Sequence, residues 1–171
     1  MNLPNILTLF RFALIPVYIL VFSYGYLEFS FGIVILAGLT DILDGYLARK
    51  NGQVTQIGVM LDPLADKTMM IVVILSLLYK GYISWQAALA IFLRDAGMII
   101  GSAFFHLRGK KTVPANMMGK LTTVLFYVAL MFIFLELPHG VTLLWFVIAF
   151  SFVTSVMYIV KFRSLNRRQP G

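Results

Sequence analysis

The sequence lacks cysteine and is poor in charge. None of its 171 residues is a cysteine, which excludes both a disulfide and a thiolate metal site. Only 12% of the residues are charged, whereas 60% are hydrophobic and the mean hydropathy is +0.90. A soluble domain of this size leaves much of its surface in water and could not bury so many apolar side chains. A disordered chain, a secreted disulfide scaffold and a nucleic-acid-binding domain fit poorly, and the composition predicts an integral membrane protein.

Long apolar stretches dominate what is present. A membrane-spanning helix needs about 20 mostly apolar residues, and six such stretches can be placed along the chain. They cover residues 5–24, 30–49, 57–80, 83–107, 117–137 and 141–162. We therefore predict an all-α, polytopic membrane protein with six transmembrane helices. Residues 1–171 are expected to form a single membrane-embedded domain without an internal repeat.

The cations that give the net charge of +7 are concentrated after the even-numbered spans. These residues are Arg49, Lys50, Arg108, Lys110, Lys111, Lys161, Arg163, Arg167 and Arg168. The positive-inside rule then predicts that both termini face the cytoplasm. The first apolar stretch is too long for a signal peptide and is interpreted as a retained helix. Because no presequence is recognised, we expect the bilayer to be a bacterial cytoplasmic (inner) membrane.

Four of the seven acidic residues fall within 26 residues, namely Asp41, Asp44, Asp62 and Asp66. The first two are three residues apart and the last two are four apart, so each pair would share one face of a helix. Folding spans two and three into an antiparallel hairpin would bring the four carboxylates to one depth. Ionisable groups inside a membrane are costly and mark functional sites by default.

Four ionised carboxylates in one pocket repel one another unless cations lie among them. Oxygen ligands without histidine or cysteine suit Mg²⁺ or Mn²⁺, and four could hold two ions. Mg²⁺ commonly binds substrate phosphates as well, which indicates a phosphate-bearing substrate. Arg49 is placed to contact phosphate oxygens. The small residues on the acidic faces either leave a slot for a flat group or serve tight helix packing; they are Gly45, Ala48 and Gly58.

The spacing of these residues resembles the signature of the CDP-alcohol phosphatidyltransferase family. All eight signature positions are filled, in the pattern Asp41-x2-Asp44-Gly45-x2-Ala48-Arg49-x8-Gly58-x3-Asp62-x3-Asp66. The resemblance implies a six-helix membrane enzyme, usually a homodimer, with a CDP-linked donor and two divalent metal ions.

Residue roles follow from the same resemblance. It implies that Asp41, Asp44 and Asp62 bind metal, and that Asp66 takes the proton from the acceptor hydroxyl and also touches a metal. The slot for cytidine would be lined by Gly45, Ala48 and Gly58, and the diphosphate would be held by Arg49. The expected donor is CDP-diacylglycerol, and CMP would leave.

The acceptor alcohol is less sharply indicated. The N-terminal segment from Asn2 to Arg11 resembles that of phosphatidylglycerophosphate synthases, whose acceptor is glycerol 3-phosphate. The segments Ala37–Thr40 and Arg94-Asp95 instead resemble cardiolipin synthases that use phosphatidylglycerol. We favour glycerol 3-phosphate. Candidate residues for its phosphate are Arg94, Arg108, Lys110, Lys111 and Lys120.

Two of these cations have another interpretation: Arg94 as an ion-pair partner of Asp95, and Lys120 as a side chain that snorkels to the headgroups. Two other protein classes were also weighed. An ion-coupled transporter would need inverted repeats and broken helices, which the sequence does not display. An intramembrane prenyltransferase would need more spans and would release pyrophosphate instead of CMP.

Overall fold

The computed structural model consists of helices in all the regions that it describes. It describes the backbone over residues 3–50, 56–107 and 117–167, and side chains over 7–43, 61, 64–101 and 117–160. The helices are α1 (Leu3–Ser23), α2 (Leu27–Lys50), α3 (Gln56–Tyr79), α4 (Trp85–Leu107), α5 (Met117–Phe134) and α6 (Gly140–Arg167). No strand occurs in these regions. The predicted all-α class and the six predicted helices are confirmed.

Two helices end at a glycine with a left-handed backbone. Gly25 follows α1 with a φ of 87°, and Gly81 follows α3 with a φ of 79°. The Gly25 amide donates to the carbonyl of Phe22 at 3.0 Å, and the Gly81 amide donates to Leu78 at 3.0 Å. These bonds satisfy carbonyls at the helix end, and glycine adopts this conformation without a steric penalty. The chain can therefore reverse between α1 and α2 within three residues.

The connection between α5 and α6 has five residues and places residues other than glycine in the left-handed conformation. Glu136 has a φ of 50° and His139 a φ of 67°. The Leu137 amide donates to the carbonyl of Phe132 at 2.8 Å. Gly140 then begins α6 in a buried position. The two helices are thus joined by a short, hydrogen-bonded turn.

The chain forms two compact units, Met1–Gly81 and Tyr82–Gly171. In the first unit, α1 packs against both α2 and α3, and α2 also contacts α3. Its core includes Tyr18, Ile74 and Leu77, each with no exposed side-chain surface. In this unit α1 is the helix that touches both of the helices that carry the acidic residues.

In the second unit, α6 packs against α5 and α4. Leu130 and Leu144 are fully buried there. The hydroxyls of Thr122 and Thr154 meet at 3.3 Å between α5 and α6. Each of the two units contains three helices. That residues 1–171 form a single domain stays a prediction.

Many large apolar side chains point outward. Examples are Leu20, Phe29, Leu93, Phe146 and Val160. Among the described residues, two helical segments are long and apolar enough to cross a membrane, Met117–Phe134 and Gly140–Val160, and a shorter apolar helical segment covers Leu7–Ser23.

Candidate functional site

The acidic residues of the signature lie on two continuous helices. Asp41 and Asp44 belong to α2, and Asp62 and Asp66 belong to α3. Because both segments are helical, residues three or four apart lie on one face. Each acidic pair therefore shares a helix face, as the sequence predicts. Contact between α2 and α3 agrees with the predicted hairpin.

Side chains are described for two signature residues, Asp41 and Asp66. The side chains of the other six lie outside the described residues: Asp44, Gly45, Ala48, Arg49, Gly58 and Asp62. The roles of all eight therefore remain predictions.

Asp41 forms an ion pair with α1. The Nη1 atom of Arg11 lies 2.9 Å from Oδ1 of Asp41. The two partners differ in exposure, because the Arg11 side chain is 1% exposed and the Asp41 side chain is 43% exposed. A charge-assisted hydrogen bond of this length holds the carboxylate in a defined orientation. One face of Asp41 thus meets a buried cation while the rest of its side chain stays accessible.

Asp66 lies on α3 beside the core of the first unit. Its side chain is partly buried, and its neighbour Ala65 is fully buried. Two residues further on, the Thr68 hydroxyl donates to the carbonyl of Leu64 at 2.7 Å. Asp66 therefore lies next to the packed side of α3 with part of its own side chain accessible.

The candidate acceptor residues are only partly described. Arg108, Lys110 and Lys111 lie outside the described residues. Lys120 is exposed on the first turn of α5. Arg94 is partly buried, and its Nη1 donates to Oδ1 of Asp95 at 2.7 Å. The ion pair that the sequence offered as the other interpretation of Arg94 is thus present, and the acceptor role remains a prediction.

Arg94 also has donor capacity that this ion pair does not use. Its buried Nε has no hydrogen-bond partner among the residues that the structure describes. A guanidinium group has five N–H donors in a planar fork that matches phosphate oxygens. The pair with Asp95 engages Nη1, and 23% of the Arg94 side chain stays accessible.

An open cavity of about 380 Å³ lies elsewhere in the second unit. Its lining includes Tyr82, Phe132, Glu136 and His139, none of which is a predicted site residue. The Tyr82 hydroxyl donates to Oε1 of Glu136 over a long 3.5 Å. Partial burial raises the pKa of the Tyr82 phenol above its ordinary 10.0, and the charge and hydrogen bond of Glu136 raise it further.

The sequence interpretation assigned no site role to Arg11. The sequence nevertheless contains an indication of such a role, because Arg11 is the only charged residue in α1. An isolated cation in an apolar helix needs a partner. Arg11 precedes Gly25 by 14 residues and Asp41 follows it by 16, so a hairpin about Gly25 brings the two to the same level.

Comparison with known proteins agrees with the signature. The family model for CDP-alcohol phosphatidyltransferases matches residues 1–156. A protein of Rickettsia bellii named "CDP-diacylglycerol–glycerol-3-phosphate 3-phosphatidyltransferase" is 36% identical over 170 residues, covering 92% of this chain and 93% of its own length. A protein of Pectobacterium atrosepticum with the same name is 39% identical over 132 residues, covering 71% of this chain and 70% of its own length.

A third relative, the "Probable phosphatidylglycerophosphate synthase" of Mycobacterium tuberculosis, is longer. It is 36% identical over 135 residues, which is 75% of this chain but 64% of the relative. The match thus spans less than two thirds of that protein. With a family model that covers most of the sequence and a relative that is similar from end to end, the chain belongs to the CDP-alcohol phosphatidyltransferase family.

Proposed function

We propose that the protein makes phosphatidylglycerophosphate, by transferring the phosphatidyl group of CDP-diacylglycerol to a hydroxyl of glycerol 3-phosphate with release of CMP. The observation that carries this proposal is the complete eight-residue signature, with its acidic positions on two helices that contact each other. Glycerol 3-phosphate is favoured as acceptor because relatives named for that acceptor match the chain over most of its length.

Asp66 acts as the general base in this proposal. The acceptor oxygen attacks the phosphorus that carries the diacylglycerol oxygen, and the bond from that phosphorus to the CMP oxygen breaks. Asp66 takes the proton of the acceptor hydroxyl, and CMP leaves with the electron pair of the broken bond. A base must lie within hydrogen-bond reach of the proton that it removes, and the partly buried position of Asp66 is compatible with such contact.

The family is generally dependent on divalent metal ions. The donor set fits them, because it consists of carboxylate oxygens and because Asp41 keeps 43% of its side chain accessible beside Arg11. We propose that Asp41, Asp44, Asp62 and Asp66 hold two Mg²⁺ or Mn²⁺ ions. When bound, the ions supply Lewis-acid stabilisation of the diphosphate charge.

The remaining signature residues would bind the donor. Gly45, Ala48 and Gly58 leave room for the cytidine to approach the backbone, and Arg49 contacts the diphosphate with its forked guanidinium. The phosphate of the acceptor would be bound by basic side chains, for which Arg94, Arg108, Lys110, Lys111 and Lys120 are the candidates. The Arg94 side chain keeps 23% of its surface accessible beside Asp95, which supports its inclusion.

We also propose that all six helices span the bilayer of a bacterial cytoplasmic membrane, with both termini in the cytoplasm, and that the protein is a homodimer. The helices have 18 to 28 residues, and 18 residues of helix rise about 27 Å, close to the thickness of a bilayer core. The outward-facing apolar side chains support the same arrangement. Cysteine-labelling of the loops from each side of the membrane tests the topology.

The decisive assay offers the purified protein CDP-diacylglycerol and Mn²⁺ or Mg²⁺ with either glycerol 3-phosphate or phosphatidylglycerol. We expect CMP and phosphatidylglycerophosphate with the first acceptor. If product forms with phosphatidylglycerol and not with glycerol 3-phosphate, the protein is a cardiolipin synthase instead. A prenyltransferase would release no CMP with either acceptor. Removal of metal with EDTA should abolish turnover, and added Mg²⁺ or Mn²⁺ should restore it.

A further inference from the structure

We propose that Arg11 is a positioning residue for Asp41, so that α1 forms part of the metal centre. This inference rests on the proposed function, in which Asp41 is a metal ligand. Arg11 would not touch substrate. It would fix the carboxylate of Asp41 from behind, so that the accessible part of that side chain meets the cation in one orientation.

The exposure of the two partners supports this arrangement. Arg11 is almost completely buried, at 1%, whereas 43% of the Asp41 side chain is accessible. The contact joins Nη1 to one carboxylate oxygen, Oδ1. A carboxylate has about four acceptor positions over two oxygens, so a single contact leaves it able to accept a cation. Burial of the carboxylate as well would add a desolvation cost and would close it to a cation.

The helix that carries Arg11 is well packed. Leu14, Ile15 and Tyr18 follow it on α1, and all three are buried. The Tyr18 hydroxyl lies beside Ser76 of α3, and α1 packs against α2 as well as α3. Helix α1 is therefore held against both helices that carry the acidic residues, and Arg11 contacts Asp41 from this fixed helix.

Electrostatics give the pair a second effect. Carboxylates that converge repel one another, and a buried guanidinium beside one of them offsets part of that repulsion before metal binds. Groups that hydrogen bond to a metal ligand orient it, and their loss typically costs about 10- to 100-fold in metal affinity or activity. Lysine would keep the charge but lose the planar fork.

The test measures Mn²⁺ binding to the full-length protein in detergent, by the EPR signal of free Mn²⁺, for wild type, Arg11→Met and Arg11→Lys. Tyr18→Phe is the matched control, because it alters a buried polar group on the same helix. We expect Arg11→Met to weaken Mn²⁺ binding by about 10- to 100-fold and Arg11→Lys to weaken it less. Tyr18→Phe should lower the melting temperature without changing Mn²⁺ affinity.

The proposal would be overturned if Arg11→Met bound Mn²⁺ as tightly as the wild type but melted at a lower temperature. The ion pair would then contribute only to stability. If Arg11→Met does not fold, Arg11→Lys decides: unchanged Mn²⁺ affinity and unchanged metal dependence of turnover would overturn it equally. Failure of the proposed function has a different signature. The wild type would then bind Mn²⁺ in an Arg11-dependent way but form no product from glycerol 3-phosphate.

Discussion

Gly140, the first residue of α6, lies directly against the backbone of Ile133 in α5. A Cβ atom built on Gly140 would stand 3.2 Å from the Ile133 amide nitrogen and 3.1 Å from the carbonyl carbon of Phe132. Both distances are shorter than ordinary van der Waals contacts, and the atoms belong to backbone that cannot rotate away. The close approach of α5 and α6 therefore depends on the missing side chain.

Gly140→Ala should accordingly destabilise the protein. We expect a loss of about 1–3 kcal/mol, the usual cost of overpacking a tight contact. Gly97→Ala is the control, because Gly97 lies within α4 and, outside its own stretch of helix, no atom of the described residues is within 4 Å of its built Cβ. That change should be neutral or stabilise by up to about 1 kcal/mol, since alanine favours helix over glycine. Unfolding of both variants in detergent measures the difference, and equal stabilities would contradict the packing argument.

Two substitutions of Asp41 should distinguish the contribution of its charge from that of its hydrogen bond in the pair with Arg11. Asp41→Ala leaves the buried Arg11 without its carboxylate, and we expect a loss of about 1–3 kcal/mol, below the cost of a fully buried pair because Asp41 is half exposed. Asp41→Asn retains an acceptor oxygen and should cost less. Stability is measured in EDTA, so that metal binding does not contribute. Both variants should lose Mn²⁺ binding, and a normal Mn²⁺ affinity in either would exclude Asp41 as a ligand.

Asp66→Asn should bind CDP-diacylglycerol and fail to turn it over. The amide cannot take the proton of the acceptor hydroxyl, and loss of a general base typically lowers rates by about 10²- to 10⁴-fold. Donor binding by equilibrium filtration and CMP release are measured on the same preparation. Thr68→Val, two residues further along α3, is the control for helix integrity, because the Thr68 hydroxyl donates to the Leu64 carbonyl of the same helix. Full activity of Asp66→Asn would remove the role of base.

The raised pKa of Tyr82 predicts a change of stability at high pH. Because the folded protein holds the phenol proton more tightly than the unfolded chain does, the free energy of unfolding should fall as the pH rises above about 10. Tyr82→Phe should remove this part of the decline, and Glu136→Gln should reduce it by lowering the pKa of the phenol. Thermal melts between pH 8 and 11 test this, and identical slopes for wild type and Tyr82→Phe would contradict it.

The sequence predicts the helices closely because apolar runs and glycines mark them strongly. The predicted stretch 57–80 corresponds to α3 at Gln56–Tyr79. The largest differences are at the end of α6, at the end of α5 and at the start of α2, which begins at Leu27 instead of 30. Helix α6 continues to Arg167 instead of ending at 162, because cations near a helix C-terminus stabilise it and do not break it. Helix α5 ends at Phe134 instead of 137, because Glu136 takes a left-handed conformation.

The part of the candidate site that follows from the spacing of residues along a helix is predictable from the sequence. Helical periodicity alone places Asp41 with Asp44 and Asp62 with Asp66 on common faces. The packing of α1 against both α2 and α3 depends on side-chain complementarity across the core, which spacing does not encode. The ion pair of Arg11 with Asp41 follows from that packing, and this is why the motif alone did not include Arg11.

In the proposed six-span topology, the ion pair between α1 and α2 would also act while the chain enters the bilayer during synthesis. Only residues 24–26 separate the two helices, so Arg11 and Asp41 emerge on one hairpin, and Arg11 is made first. A lone aspartate in a nascent helix resists partitioning into lipid, whereas a neutral Arg–Asp couple lowers that barrier. In that topology we expect the same contact to ease insertion of α2 by neutralising one of its acidic side chains.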